Sequence, residues 1–374
     1  MKTTVRTLAF SVVAAVALAT ASQAATPNLD SGHAVFVMTN DAEHNEVIAY
    51  ERNPDGTLGS SHRYRTDGRG SGGRTDPLSA QGSLHLSDNK QWLFAANAGS
   101  GTVSVFRVED SQLVLTDQQP SGGAEPVSIA QHGNLVYVLN AAGSSSVVGF
   151  FFTNGHLLPI SSSVRFLSSN LASPGSVVFS PDGKFLLTTE EAHNQIDVFA
   201  VEPNGTLGPI TVNPSAGPGA FAVNVGPNGT ALVSETGSGG ATAAISSYNI
   251  QANGTLTTIN ASVPTLGAAN CWNVITPDGR FIYVSNAGSS TISGFRIGSS
   301  GTLTALPGTV VGMNPPGSGN LDIAISADGK FLYSLNSAGG SIGQFGIQAD
   351  GFLTSLGTTG GLPAGSSLNG IAAN

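Results

Sequence analysis

A repeated unit of about 50 residues is the feature that most constrains the fold of this chain. Seven short apolar segments each end in Asn or Glu, and they recur in steps of 43 to 57 residues. The closing residues are Asn40, Asn97, Asn140, Glu190, Glu235, Asn286 and Asn336. Self-similarity at such a period is typical of folds in which each unit buries its faces against its neighbours. The chain is therefore predicted to fold as seven like units.

Each unit contains the same order of strands and turns. An alternating strand such as 176–180 is followed by a tight turn, 181–183, and then by a second strand that ends at the Asn or Glu. A third strand such as 195–199 comes next, and an Asn-Gly turn such as 204–205 begins a short fourth strand. Asp-Gly and Asn-Gly between alternating runs are typical of hairpins, because both turn residues must accept positive φ.

Four antiparallel strands repeated seven times indicate an all-β fold, a seven-bladed β-propeller around a central channel. The first unit begins at its second strand, 34–40, and lacks a first strand. The last residues, 368–373, resemble an orphan first strand. We therefore expect the C-terminal strand to join blade one and close the ring, which would protect both open edges.

Residues 1–24 have the pattern of a secretory signal peptide. Lys2 and Arg6 precede an apolar stretch, and small residues follow it up to Ala24. The expected mature protein is a single propeller domain, 25–374, secreted or periplasmic, with no membrane attachment after cleavage. An uncleaved anchor is the alternative, although the apolar stretch is short for a bilayer span.

Composition excludes several classes of protein. The formal net charge is −9 and charged residues are only 10% of the chain, so the clustered cations that nucleic acid requires are lacking. Cys271 is the single cysteine, which excludes a disulfide scaffold. The seven histidines show no metal-ligand spacing, so the sequence predicts no metal and no cofactor.

The predicted site is the rim on which the first strands begin and the second strands end. The recurrent Asn is interpreted as structural, because a short amide can bind loop backbone where a strand ends. Glu190 and Glu235 replace it in neighbouring blades, and His193 follows Glu190 in the same loop. A carboxylate beside an imidazole can activate water or donate a proton, so these three residues are the predicted catalytic groups. A solvated surface turn is the alternative.

Other residues at the same rim are candidates for ligand binding. The Gly-rich loop 62–76 carries arginines whose guanidinium groups suit a carboxylate or phosphate. An exposed basic loop is the alternative there. The indole of Trp272, at the start of the first strand of blade six, is expected either to stack on a flat ligand or to fill the channel. The predicted ligand-binding residues are Arg65, Arg69, Trp272, Asn273 and Asp322.

Three motifs show similarity to a known family: Ser-Pro-Asp-Gly-Lys-Phe-Leu at 180–186, Thr-Pro-Asp-Gly-Arg-Phe-Ile-Tyr-Val-Ser-Asn at 276–286 and Ala-Gly-Ser-Gly-Thr-Val-Ser-Val-Phe at 98–106. Over residues 33–374 the chain resembles the seven-bladed β-propeller lactonases, which include bacterial 6-phosphogluconolactonase and fungal 3-carboxy-cis,cis-muconate lactonizing enzyme. The resemblance implies a rim with His, Arg and Glu around an anionic lactone. At the corresponding positions this chain has Gly175, Trp272, Ala287, Leu321 and Asp322.

The sequence is therefore compatible with two functions. The first is a secreted lactonase-like enzyme, a carboxylic ester hydrolase or lactonizing cyclase, acting on the lactone of an anionic sugar acid or muconate-type compound. The alternative is a non-catalytic extracytoplasmic propeller that binds a small anionic molecule or a protein at the channel rim. In both cases we expect a monomer. A calcium site with oxygen ligands from Asp322, Asn273, Asn320 and Glu190 is a third possibility that no spacing favours.

Overall fold

The structure is a computed structural model that describes Met1 and residues 33–74, 76–240 and 242–374. The predicted signal peptide, apart from Met1, lies outside the described residues, so export stays a prediction. Within the described part of the chain, no helix combines the length and apolar character that crossing a membrane requires.

The described residues form strands almost throughout. Two short 3-10 helices, Glu191–His193 and Ser238–Gly240, lie in loops. The strands are β1 (Ala34–Met38), β2 (Glu46–Arg52), β3 (Leu58–Arg65), β4 (Leu84–Leu86), β5 (Trp92–Asn97), β6 (Thr102–Glu109), β7 (Gln112–Pro120), β8 (Ala124–His132), β9 (Leu135–Ala142), β10 (Ser146–Thr153), β11 (His156–Pro159), β12 (Arg165–Phe166), β13 (Pro174–Phe179), β14 (Phe185–Glu190), β15 (Gln195–Val201), β16 (Leu207–Pro214), β17 (Ala220–Val225), β18 (Thr230–Glu235), β19 (Ala244–Ile250), β20 (Leu256–Pro264), β21 (Asn270–Ile275), β22 (Phe281–Asn286), β23 (Thr291–Ile297), β24 (Leu303–Met313), β25 (Asn320–Ile325), β26 (Phe331–Asn336), β27 (Ser341–Ile347), β28 (Leu353–Thr359) and β29 (Ile371–Ala373).

These strands form seven antiparallel sheets, which confirms the predicted seven-bladed β-propeller. Blade one is β29-β1-β2-β3, and blade two is β4 to β7. Blades four to seven take the next four strands each, from β13 to β28. Blade three is irregular, because its outer edge is divided: β11 pairs with one end of β10 and β12 with the other.

The turn between the first and second strands is held by side chains that the repeat supplies. In blade four, Asp182 accepts hydrogen bonds from the Ser180 hydroxyl and from the backbone N–H of Lys184. Gly183 then adopts φ 68°, a left-handed conformation that costs glycine little. Glycine holds the same position in blades five to seven, whereas blade two has Lys90 there with φ 60°.

Neighbouring blades are joined by a repeated tyrosine contact. The hydroxyl of Tyr137 in blade three donates to the Gly205 carbonyl in blade four, at 2.6 Å. Tyr283 makes the same contact from blade six to blade seven, and Tyr333 makes it from blade seven to the Gly56 carbonyl of blade one. Each blade therefore needs a neighbour on both sides to satisfy its buried polar groups and cover its apolar faces.

The C-terminal strand closes the ring, as the sequence predicts. Strand β29 pairs antiparallel with β1, in the register Val35↔Ala373 and Val37↔Ile371. The Asn374 side chain accepts a hydrogen bond from the backbone N–H of Ala34. The backbone carbonyl of Asn374 accepts one from the buried Arg52 guanidinium at 3.1 Å. Residues 340 positions apart are thus joined within one blade.

Removing residues 371–374 is expected to lower the free energy of unfolding by at least about 4 kcal/mol, because the buried Ile371 and the Arg52 contact are lost together. Equilibrium unfolding in urea measures this change, and size-exclusion chromatography should show self-association through the exposed edge of β1. Thr304→Ala, at an exposed position of β24, should change stability by less than about 0.5 kcal/mol. A truncated protein as stable as the full chain would contradict the role of β29.

Candidate functional site

We call the side of the ring on which the first strands begin the upper face, and the side carrying the turns between first and second strands the lower face. Side chains close the channel at its upper end. Trp272 and Phe221 lie edge to face with ring centroids 5.1 Å apart, and both are 1% exposed. They pack with Leu321 and Cys271 in one apolar cluster. Of the two predictions for Trp272, filling the channel is the one that this burial matches.

The channel is also crossed by polar contacts from the segment before β4. The Trp272 indole N–H donates to the Ala80 carbonyl at 3.1 Å. The Gln81 side-chain amide donates to the Asn273 carbonyl and to Asp322 Oδ1, at 2.8 and 3.2 Å. We call Gln81, Phe221, Trp272 and Leu321 together the plug.

Asn273 and Asp322 lie at the plug and are buried. The Asn273 amide donates to the Ala222 carbonyl and to the Ser234 hydroxyl. Asp322 accepts from two backbone N–H groups as well as from Gln81. Burial nevertheless raises the pKa of Asp322 to about 7, because its charge has lost hydration. These two predicted ligand-binding residues therefore hold the plug to the surrounding blades, and a ligand contact for either stays a prediction.

Glu190 is fully buried inside blade four. Its carboxylate accepts hydrogen bonds from the Ser168 N–H at 2.7 Å and from the Ser168 hydroxyl at 2.8 Å. His193, more than a third exposed, approaches it with Nδ1 3.2 Å from Oε2. The predicted carboxylate–imidazole pair thus forms, with its carboxylate buried in the blade and its imidazole at the surface.

A second buried carboxyl group faces Glu190 from strand β15. Neither oxygen of Asp197 meets a hydrogen-bond donor. Burial and the neighbouring Glu190 raise the pKa of Asp197 to about 9. A proton on Asp197 accounts for both observations, since two ionised carboxylates only accept. Blades two and six have Asn in place of Glu190 and Ser in place of Asp197. There the Asn amide donates to the Ser hydroxyl, Asn97 to Ser104 and Asn286 to Ser293.

Glu235 is fully buried in blade five and fully hydrogen-bonded. Its oxygens accept from the hydroxyls of Ser215, Ser246 and Ser262 and from the Gly217 N–H, at 2.6 to 3.1 Å. These donors come from the loop between β16 and β17 and from strands β19 and β20, so the carboxylate ties the loop to the two strands. Glu190 and Glu235 therefore occupy separate blades, each saturated by its own donors.

Contrary to the sequence prediction, the arginine segment is not a loop throughout, and its glycines are packed. Arg65 belongs to strand β3, and Gly68 and Gly70 after it pack against the recurrent Asn97 and Asn40, where a side chain would collide. Backbone hydrogen bonds from Gly99 and Ser100 to the Arg69 carbonyl hold the segment to blade two. Arg65 and Arg69 are exposed and line a surface hollow of about 330 Å³ with Glu43, His44 and Asp67. The structure does not bring them to Glu190 or Glu235.

Two other carboxyl groups, half-buried, face each other above the plug. Asp76 ends the segment from blade one, and Asn369 donates to its Oδ1 at 3.4 Å. Glu191 begins the loop of blade four, and the Thr236 hydroxyl donates to its Oε1 at 3.2 Å. Burial and then the charge of Glu191 raise the pKa of Asp76 to about 7, and burial raises the pKa of Glu191. We call Asp76, Glu191 and the buried Cys271 beside them the upper mouth.

Burial, followed by the charges of Asp76 and Glu191, raises the pKa of the Cys271 thiol well above its usual value. The thiol is therefore protonated near neutral pH and is no nucleophile. Neither Glu191 nor Asp76 is among the site residues predicted from the sequence. No local pattern marks Asp76, because its partner comes from another blade. Among the described residues, no three His, Cys, Asp or Glu side chains are grouped as metal ligands would be.

Comparisons with known proteins agree with the propeller. The sequence model of a family described as "Lactonase, 7-bladed beta-propeller" matches residues 30–166, 152–272 and 225–320. No curated protein sequence matches the chain at a significant level.

Solved structures show the same fold at low sequence identity. A putative 6-phosphogluconolactonase from Bacteroides fragilis has a TM-score of 0.69 at 20% identity and covers 93% of this chain and 99% of its own. A putative 6-phosphogluconolactonase from Bacteroides uniformis has a TM-score of 0.68 at 20% identity and covers 90% of this chain and 99% of its own. A periplasmic gluconolactonase from Pseudomonas aeruginosa has 0.66 at 17%, covering 90% and 98%. At these identities the similarity establishes the fold alone.

Glu235→Gln is expected to lower the free energy of unfolding by about 3 kcal/mol, because an amide NH₂ would replace an oxygen that now accepts from donors. Urea unfolding of the variant and of Glu43→Gln, an exposed control, measures the difference. Unchanged stability would show that the four donors contribute little.

Asp197→Asn is expected to flatten the dependence of stability on pH. The folded-state pKa of Asp197 lies above its unfolded value, so the folded protein holds a proton that the unfolded chain releases. The free energy of unfolding should therefore fall as pH rises from about 4 to about 9. The side-chain amide that this substitution introduces donates to Glu190 at any pH, so the free energy of unfolding of the variant should fall less over this range. Unfolding at several pH values, with the exposed Asp67→Asn as control, measures this; parallel curves would contradict it.

Proposed function

Because this chain belongs to the seven-bladed β-propeller lactonase family, we propose that it hydrolyses a lactone at its upper mouth, with Asp76 and Glu191 as the acid–base pair. The observation that carries the proposal is the pair itself: two half-buried carboxyl groups, from different blades, face each other with raised pKa values. Carboxyl groups with pKa values raised toward neutral pH are typical of acid–base catalysis.

The two carboxyl groups divide the reaction between them. The Glu191 carboxylate takes a proton from a water molecule while the water oxygen attacks the lactone carbonyl carbon. As the ring C–O bond breaks, the Asp76 carboxyl gives its proton to the released oxygen. The product is the open hydroxy acid, and proton exchange with solvent restores both groups. Like charges facing each other favour this arrangement, in which one group is ionised and the other protonated.

The upper mouth favours an uncharged substrate. The groups that contact Asp76 and Glu191 are amide, hydroxyl and backbone donors. The arginines predicted to hold an anion lie instead in the surface hollow beside Glu43 and Asp67. We therefore propose a neutral sugar lactone, such as glucono-δ-lactone, ahead of the phosphorylated or muconate-type lactones that the resemblance implies. The leader pattern supports a place of action outside the cytoplasm.

The non-catalytic alternative requires a surface for a partner. An exposed apolar patch around Trp272 and Phe221 would support it, but both side chains are buried in the plug. No other observation favours that function over the acid–base pair.

Proton release in a pH-stat, with glucono-δ-lactone and 6-phosphogluconolactone offered separately, tests the proposal. We expect turnover above the spontaneous rate, greater for the neutral lactone. Asp76→Asn and Glu191→Gln should each lower kcat by roughly 100-fold or more. Activity should fall as pH rises above about 7, where Asp76 loses its proton, and again below the pKa of Glu191.

Glu43→Gln should keep full activity, and Glu190→Gln should keep activity in proportion to its folded fraction. Loss of turnover in a fully folded Glu190→Gln would return the catalytic role to Glu190 and His193. No turnover on either lactone would reject the proposed function.

A further inference from the structure

The channel below the plug is a cavity of about 620 Å³ that reaches the lower face. Gln81 and Asp322 form its inner end, and the turns between first and second strands surround its opening. Asp76, Glu191 and Cys271 do not line it. Its volume lies within the usual range of small-molecule sites. The plug therefore separates two compartments with different chemistry.

The walls of this cavity are mainly aliphatic. One residue at the equivalent position of each first strand lines it, and that residue is alanine or valine in five of the seven blades. The exceptions are His85 in blade two and Asn224 in blade five, which come from nearly opposite sides of the ring. Burial lowers the pKa of His85 to about 4, so its imidazole is neutral at physiological pH. At this level of the channel, His85 and Asn224 thus add two polar side chains to an otherwise apolar ring.

One cation lies at the opening, and its backbone conformation is unusual. Lys90 lines the cavity and takes the turn position at which blades four to seven have glycine. Its φ of 60° is costly for a residue with a side chain, and such strain is typical of functional positions. The backbone N–H of Lys90 donates to the Ser87 carbonyl, as Gly183 does to Ser180, so the two turns are equivalent.

The Lys90 ammonium is partly buried at the opening, where Asp88 also lines the cavity. Burial lowers its pKa, while the nearby charge of Asp88 acts in the opposite direction. None of the ion pairs formed by the described residues includes Lys90. The Asp88 carboxylate itself accepts from the Gly133 N–H of blade three. A partly desolvated cation that forms no ion pair can attract a further anionic group.

We propose that the lower cavity is a binding site for an amphipathic monocarboxylic acid, whose carboxylate pairs with Lys90 while its aliphatic chain lies along the channel wall. The acid enters from the lower face, so that its charge stays at the opening, away from the carboxyl group of Asp322 at the inner end. His85 and Asn224 would bind a hydroxyl or carbonyl group on the chain. This site is separate from the upper mouth and does not depend on lactone hydrolysis.

Isothermal titration calorimetry with octanoate tests the proposal on the full protein. We expect one octanoate per chain. Lys90→Gly should weaken its binding by roughly tenfold or more, the loss typical of a charge-assisted contact. The substitution restores the glycine of the other blades and should raise the melting temperature, so weaker binding would not reflect misfolding. Lys330→Gln, at an exposed turn of the same face, removes the same charge and should bind octanoate unchanged.

Two further measurements separate the charge from the apolar chain. Acetate should bind far more weakly than octanoate, and octylammonium should not bind. Val274→Phe, which fills the channel, should abolish octanoate binding, whereas Asp76→Asn should leave it unchanged. The proposal is overturned if octanoate does not bind, or if Lys90→Gly binds it as tightly as the unmodified protein. Failure of lactone turnover leaves these results unaffected, so the two proposals are tested separately.

Discussion

Pairing of the last strand with the first is the interaction on which the rest of this structure depends. Each blade covers its apolar faces only against two neighbours, and strand β29 supplies the contact that completes the circle. The same C-terminal segment also holds two carboxyl groups in place: Asn369 donates to Asp76, and the Ile371 N–H donates to Asp322. Ring closure therefore positions Asp76 of the upper mouth and Asp322, which holds the plug.

The plug determines what the channel can do. An open channel would let water and ions pass between the faces, but Trp272, Phe221 and Gln81 divide it. Above the plug lie two carboxyl groups whose burial suits them to proton transfer near neutral pH. Below it lies an apolar cavity with a single lysine at its opening. A symmetric fold thus presents two unlike sites because a few side chains from different blades meet on its axis.

Residues that depart from the repeat mark positions with a special role, but the sequence does not indicate whether that role is structural or functional. Glu190 and Glu235 replace the recurrent Asn, yet both are buried and serve as acceptors for loop donors. Lys90 replaces a recurrent glycine at the cavity opening, and no ion pair among the described residues includes it. Both kinds of departure are visible in the sequence, whereas the burial and partners that separate them arise only on folding.

The sequence by itself determined the all-β architecture, the number of blades and the closing strand, because strand alternation and Asp-Gly turns act over a few residues. It also identified Trp272 as a residue that could fill the channel. Only the tertiary structure decided which carboxyl groups face one another. Asp76 and Glu191 are separated by more than a hundred residues and meet because ring closure brings blades one and four to a common axis. Electrostatic coupling depends on that distance in space, which local sequence patterns do not contain.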